Sequence, residues 1–202
     1  MKKILFALLP VAALIVFSFT TTNDPLPIGA SLPKSEVKMK NIDGNEVSFK
    51  DAMQKKGLLV VFTCNTCPVV KKYQTRLNEV CKYALGNGVG VIMINSNEAY
   101  RSNGDSYDDM KDYAKESGFD WNYVVDNNST MANEFGATRT PENFLFDAAG
   151  KLVYHGAVDD NQNGGDAVTR KHLKVAIDEL LAGKEITIKN TRSVGCNIKR
   201  VE

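Results

Sequence analysis

The sequence predicts an α/β fold in which helices cover both faces of a mixed central sheet. Two continuous apolar runs, residues 58–62 and 89–94, are typical of strands that are buried on both faces. A helical pattern, with apolar side chains at three- and four-residue steps, follows the first run, and hairpin patterns with Gly turns precede and follow the pair. Buried strands that alternate with helices form a layered structure with the sheet in the middle.

Local signals place each element in order along the chain. We expect a hairpin at 37–49, a strand at 58–62, a helix at 67–85, a strand at 89–94, a helix at 106–117, a strand at 123–125, one or two helical turns at 131–135, a hairpin at 144–154 and a last helix at 167–181. The Asp43-Gly44 pair favours the first tight turn, and Ser106 is a typical helix cap. Gly183 ends the last helix, and the basic tail after it shows little periodicity.

Length and composition indicate one globular domain, which we place at residues 25–202. The 202 residues include 25 Lys and Arg, 24 Asp and Glu, and 43% apolar residues, values typical of a folded domain. The net charge of +1 is not concentrated in a basic patch, so we expect no nucleic-acid partner. We expect a monomer, and its four cysteines are too few for a disulfide scaffold.

The amino-terminal segment has the pattern of a secretory signal. Lys2 and Lys3 precede an apolar run at residues 4–19, and polar residues 20–24 follow it. A helix of that run would be about 24 Å long, shorter than a typical membrane span. We therefore expect a signal peptide at residues 1–22, without a defined cleavage site, and a periplasmic or secreted protein. An uncleaved membrane anchor is the alternative.

The strongest chemical signal is a C-x-x-C motif formed by Cys64 and Cys67. It follows the first buried strand and stands at the start of a helix, with Pro68 in the first turn. Unpaired backbone N–H groups at a helix start favour a thiolate, so Cys64 is the expected nucleophile. Cys67, one turn further along and less exposed, would resolve a mixed disulfide. A zinc site would need two further ligands at a suitable spacing, which the sequence lacks.

Four segments carry a family resemblance: residues 62–70, 136–142, 151–156 and 195–199. Together they resemble the thioredoxin-fold redoxins of the thioredoxin-like and AhpC-TSA-like superfamily, in particular a subgroup with a C-N-x-C-P site. The resemblance implies a thioredoxin-like three-layer sandwich with a redoxin-type extra strand-helix unit and an N-terminal hairpin. It also implies that Pro141 is a cis-proline facing the cysteines. Thr140 would then pair with an extended partner peptide, and Thr66 would contribute to the same partner site.

The resulting functional prediction is an exported thiol-disulfide oxidoreductase that acts on protein thiols and disulfides and receives electrons from a redox partner. No organic cofactor and no metal is implied, because the cysteine pair itself holds the electrons. Relatives often have His where this chain has Thr66, so we expect a potential near that of thioredoxin rather than that of a strong oxidant.

Two other functions compete with this prediction. A thiol peroxidase, with antioxidant activity, is one, although the Thr or Ser that peroxiredoxins carry three residues before the nucleophile is Val61 here. A copper metallochaperone with ligands from the cysteine pair and His155 is the other, but such proteins have three residues between the cysteines.

The remaining cysteines and the acidic residues leave alternatives open. Cys81 shares the inner face of the helix after the C-x-x-C motif and is expected to be a buried, inert thiol. Cys196 either pairs with Cys81 or exchanges with the active-site pair as an additional redox thiol. A buried acid often transfers a proton to the second cysteine in this fold. Its candidates are Asp51, Glu79, Asp126 and Glu142.

Overall fold

The computed structural model describes residues 24–201. The predicted signal peptide lies outside the described residues. Among residues 24–201, no helix combines the length and the apolar character needed to cross a membrane. In this part of the chain the elements are β1 Met39–Lys40, β2 Glu46–Val47, α1 Phe49–Ala52, β3 Gly57–Thr63, α2 Pro68–Gly86, β4 Val89–Asn95, α3 Tyr107–Ser117, β5 Asn122–Val125, α4 Thr130–Phe135, β6 Arg139–Thr140, β7 Glu142–Asp147, β8 Leu152–Gly156, α5 His172–Leu181 and β9 Cys196–Asn197.

Five strands form the central sheet in the order β5-β4-β3-β7-β8. Strands β3, β4 and β5 are parallel, whereas β7 runs antiparallel to β3 and to β8. The register pairs Val60 with Phe144 at the centre of the sheet. This arrangement confirms the predicted mixed sheet and the thioredoxin-like fold.

Strand β3 contributes to a separate hydrophobic core on each face of the sheet. Leu59 and Val61 pack in a core with apolar side chains of α2, α3 and α5. Leu58 and Val60 point the other way and pack with side chains of α1 and α4. Because successive side chains of a strand alternate between its faces, a continuous apolar run is what such a doubly covered strand requires.

The elements differ most from the predictions at three places. Helix α1 was expected to be the end of a hairpin strand, but the Ser48 hydroxyl caps it by accepting from the Asp51 N–H at 3.2 Å. Helix α5 begins at His172 instead of residue 167, because an isolated 3₁₀ turn, Gly165–Ala167, and an extended Val168 precede it. The carboxy-terminal tail, expected to be irregular, contains the short strand β9.

Candidate active site

The two cysteines of the C-x-x-C motif lie where β3 ends and α2 begins. Strand β3 ends at Thr63, and Cys67 is the residue immediately before the first helical position. Cys64 is 1% exposed and Cys67 is 2% exposed. The expectation that Cys64 is the more exposed thiol was therefore wrong. The reason is that Cys64 and Cys67 form a small buried cluster with Val70, against which Cys196 of the tail packs.

The predicted partner residues lie beside this pair. The Thr140-Pro141 peptide bond is cis, as the resemblance implies. The Thr140 hydroxyl lies 3.3 Å from the Cys64 sulfur, and the Thr140 carbonyl oxygen lies 3.5 Å from the Cys67 sulfur. One residue therefore contacts both cysteines, through its side chain and through its backbone.

A disulfide joins Cys67 to Cys196 of β9, with a Cα–Cα distance of 6.0 Å. Cys64 and Cys81 are free thiols. The alternative in which Cys196 pairs with Cys81 was wrong, because Cys81 points into the core beneath α2, whereas Cys196 packs in the cysteine cluster. Cys81 is fully buried, and burial raises the pKa of its thiol well above the usual range, as expected of an inert core cysteine.

Burial also raises the pKa of the Cys64 thiol above its ordinary value. The hydrogen bond with the Thr140 hydroxyl opposes this shift, and the negative charge of Asp105 adds to it. The backbone N–H of Cys67 lowers the Cys64 pKa, as its place at a helix start predicts. Desolvation is the larger effect, so the expectation of an easily formed thiolate was wrong for this closed site.

Asp105 is a site residue that the sequence reasoning missed. It is completely buried, and its carboxylate accepts hydrogen bonds from the Asn65 backbone N–H at 2.8 Å and the Thr66 hydroxyl at 2.8 Å. The side-chain amides of Asn95 and Asn97 donate to the same carboxylate, at 2.8 Å and 3.0 Å. Asp105 therefore holds the segment between the two cysteines in place.

One sequence signal could have identified Asp105. Strands β3 and β4 are parallel, with Thr63 opposite Asn95, so the chain leaves both strands at the same edge of the sheet. Ligands and functional side chains gather at that edge in open α/β sheets. The polar loop after β4 was therefore in a position to reach the C-x-x-C segment.

The four candidate acids differ in their surroundings. Asp51 and Glu79 are exposed, and Asp51 pairs with Lys38, whereas Asp126 and Glu142 are buried. Asp126 accepts from two backbone N–H groups of α4, and burial raises its pKa. The only one of the four adjacent to Pro141 in the chain is Glu142.

Glu142 organises the turn before the cis-proline. Its Oε2 accepts from the backbone N–H groups of Thr138 at 2.8 Å and Arg139 at 2.9 Å. Its Oε1 lies 2.7 Å from Nε2 of His155, whose ring also packs against Phe144. Within residues 24–201 no three His, Cys, Asp or Glu side chains are grouped so that they could hold a metal ion. The ligand set of the copper alternative is therefore not assembled here.

Comparison with solved structures identifies two similar proteins. An uncharacterized conserved protein from Geobacillus kaustophilus is 34% identical, with 87% of this chain and 93% of that chain covered and a TM-score of 0.80. A hypothetical protein from Sinorhizobium meliloti 1021 is 30% identical, with 88% of this chain and 97% of that chain covered and a TM-score of 0.80. No curated protein matches the sequence.

A more distant neighbour supports the fold. The thioredoxin domain of a thiol-disulfide oxidoreductase from Bacteroides vulgatus is 21% identical, with 64% of this chain and 88% of that chain covered and a TM-score of 0.53. The profile of the AhpC/TSA family matches residues 28–155, which include the C-x-x-C motif and the cis-proline but not β9. With more than half of its length matched, the chain belongs to the AhpC/TSA family.

Proposed function

We propose that the protein is a thiol-disulfide oxidoreductase. The observation that carries the proposal is the contact of Thr140, the residue before a cis-proline, with both cysteines of a C-x-x-C motif at the start of a helix. A free Cys64 thiol, a second cysteine three residues away and an adjacent strand backbone are the components that disulfide exchange with a peptide needs.

The reaction starts from the fully reduced site. The Cys64 thiolate attacks one sulfur of a partner disulfide, and the other partner sulfur leaves as a thiolate and takes up a proton. Cys67 then loses its proton and attacks the Cys64 sulfur, which releases the second partner thiol. The partner disulfide gains two electrons, and the chain is left with a Cys64–Cys67 disulfide, which a donor of two electrons reduces again.

Thr140, Pro141 and Thr66 contribute to the proposed partner site in different ways. The backbone of Thr140 pairs with an extended segment, while Pro141 keeps an N–H from competing at that edge. The Thr66 hydroxyl donates to Asp105, which fixes the loop that faces the partner. The substrates are protein disulfides, and the enzyme works as a monomer.

Export is a separate part of the proposal. It rests on the basic start, the apolar run at residues 4–19 and the polar segment that follows. Fusion of residues 1–30 to a reporter that is active only outside the cytoplasm tests it. Export is supported if the reporter is active in the fusion and loses its activity when Lys2 and Lys3 are replaced by Glu. An inactive fusion that is made at a normal level contradicts it.

Reduction of a disulfide-containing protein tests the function. Purified protein with a dithiol donor should reduce insulin, and Cys64→Ser should abolish this activity, whereas Cys81→Ser should retain it. In cells, Cys67→Ser should accumulate mixed disulfides with partners on Cys64. If no partner is trapped while peroxide is consumed and a sulfenic acid forms on Cys64, the protein is a thiol peroxidase instead.

A further inference from the structure

The tail strand β9 lies against β6, the strand that ends at the cis-proline. The two strands are antiparallel, with Arg139 opposite Asn197 and Thr140 opposite Cys196. The Ile198 N–H donates to the Thr138 carbonyl at 3.0 Å and extends the pairing by one residue. The tail therefore already occupies the backbone edge that the proposed function assigns to a partner strand.

The approach of the tail depends on Gly195. A Cβ at this position would lie 2.0 Å from the Thr140 carbonyl oxygen, a distance at which no side chain fits. After the cysteine, Ile198 is 6% exposed and packs in the core that contains Phe135 and Phe144. The packing of the tail against β6 thus requires two features: a residue without a side chain before the cysteine, and an aliphatic residue two positions after it.

Cys196 is the most accessible of the three cysteines that meet here. Cys64 and Cys67 are buried, whereas Cys196 is partly exposed. Further along the tail, the Lys199 N–H donates to the Asn97 side chain at 2.9 Å, and the Lys199 carbonyl accepts from the Ala99 N–H at 2.9 Å. The tail is therefore held by Lys199 just after its short strand and by the disulfide to Cys67, which closes the site.

We propose that Cys196 is a third redox thiol of this site. In this proposal β9 occupies the binding position of the partner strand, and disulfide exchange at Cys67 releases β9 from it. This inference rests on the proposed function. The Cys64 thiolate attacks the Cys67 sulfur, the Cys64–Cys67 bond forms, the Cys67–Cys196 bond breaks, and Cys196 takes up the proton that Cys64 lost. No electrons are gained or lost, so no further reactant is needed.

The exchange has a consequence for access to the site. With Cys67 bonded to Cys196, the tail is covalently held over the edge of β6 and Cys64 is a buried thiol. With Cys64 bonded to Cys67, only noncovalent contacts hold the tail, and a partner strand can replace it. The preferred partner is therefore an extended cysteine-containing strand with a small residue before its cysteine and an aliphatic residue two positions after it.

Disulfide mapping of the full chain tests the proposed exchange between the Cys67–Cys196 and Cys64–Cys67 disulfides. Protein equilibrated in glutathione buffers is quenched with acid, alkylated and analysed by mass spectrometry. The wild type should contain both the Cys67–Cys196 and the Cys64–Cys67 bonds, and Cys196→Ser only the latter. Cys81→Ser is the control and should have the wild-type distribution. If Cys196 is alkylated in every buffer, and is therefore a free thiol throughout, while the Cys64–Cys67 bond forms, the proposed disulfide exchange is wrong.

Gly195→Ala tests the docking of the tail without removing a thiol. The added methyl group meets the Thr140 backbone, so the ratio of Cys67–Cys196 to Cys64–Cys67 bonds should fall about tenfold. Gly86→Ala is the matched control, since a Cβ there meets no atom within 4 Å, and it should leave the ratio unchanged. An unchanged ratio in Gly195→Ala would contradict the docking.

A peptide tests the partner class. The octapeptide of residues 193–200, with glutathione attached to its cysteine, is offered to reduced Cys196→Ser protein. It should be reduced about tenfold faster than the same peptide with Val in place of Gly195. Equal rates would overturn the inference about the partner while leaving the proposed function intact. If neither peptide nor insulin is reduced, the proposed function itself has failed.

Discussion

The carboxylate of Asp105 accepts a hydrogen bond of 2.8 Å from the backbone N–H of Asn65, within the segment between the two cysteines of the C-x-x-C motif. A second bond, from the Thr66 hydroxyl, ends on the other carboxylate oxygen. The interaction has two effects: it fixes the C-x-x-C segment, and it places a buried negative charge near Cys64. That charge raises the Cys64 pKa in addition to the larger effect of burial.

Asp105→Asn should therefore lower the Cys64 pKa and weaken the fold. Loss of the charge favours the Cys64 thiolate. The new NH₂ group faces the N–H and O–H donors that bond to Asp105 and leaves buried donors unsatisfied, which costs about 1–3 kcal/mol in the free energy of unfolding. The rate of Cys64 alkylation against pH measures the first effect, and urea unfolding measures the second. Asp108→Asn, at a carboxylate whose side chain is 86% exposed, is the control for both. A Cys64 pKa that rises in Asp105→Asn would show that the charge has no such effect.

Thr140→Val should shift the Cys64 pKa in the opposite direction. The hydroxyl of Thr140 lies 3.3 Å from the Cys64 sulfur and lowers the pKa of that thiol. Valine has nearly the same shape but no hydroxyl, so the thiolate loses a hydrogen bond and the pKa rises. The same alkylation profile measures the shift, and Thr140→Ser should restore the wild-type value. If Thr140→Ser and Thr140→Val give the same Cys64 pKa, packing rather than the hydroxyl causes the shift.

The raised pKa of Cys64 also predicts how the stability of the reduced protein depends on pH. A free cysteine titrates near pH 8.5, and in the folded protein Cys64 retains its proton to higher pH. Between these two values the folded state binds more protons than the unfolded state, so stability is lost as pH rises above about 8.5. Urea unfolding of reduced wild type and of Cys64→Ala, from pH 7 to 10, should show a steeper loss in the wild type. If the free energy of unfolding falls equally with pH in both proteins, Cys64 is not the source of the pH dependence.

Much of the framework was predictable from local sequence patterns. The apolar runs of β3 and β4 are long and continuous, and the predicted cap of α3 is present, with the Ser106 hydroxyl accepting from the Asp109 N–H. These features depend on neighbouring residues or on burial of a whole strand. The place of the C-x-x-C motif before α2 followed from the same patterns.

The features that were missed depend on contacts between distant parts of the chain. Strand β9 has only two residues, and it is a strand because it pairs with β6, more than fifty residues earlier. Its pairing also decides the disulfide, since Thr140 lies opposite Cys196. Asp105 reaches Asn65 across 40 positions of the sequence. Patterns among neighbouring residues do not encode such contacts. Only the parallel pairing of β3 with β4, which puts the loop after β4 beside the C-x-x-C segment, could have indicated Asp105.

Glu142→Ala should destabilise the turn that carries β6. The carboxylate accepts from the N–H groups of Thr138 and Arg139, and alanine leaves both donors without this partner. We expect a loss of about 3 kcal/mol in the free energy of unfolding, measured in urea. Glu142→Gln keeps one acceptor oxygen and should lose less. Glu185→Ala, at a side chain that is 82% exposed, is the control, and an equal loss in this variant would contradict the role of Glu142.

The reduction potential of the site should lie near the thioredoxin value of about −270 mV rather than near the −120 mV or so of a strong oxidant. A strong oxidant has a stabilised thiolate, whereas the buried Cys64 has a raised pKa, so its reduced form gains no such stabilisation. Equilibration of Cys196→Ser with glutathione isolates the Cys64–Cys67 couple from exchange with the tail. In this variant Asp105→Asn should make the couple more oxidising, because it favours the thiolate. A potential above about −150 mV in Cys196→Ser would show that burial does not control the redox chemistry of this pair.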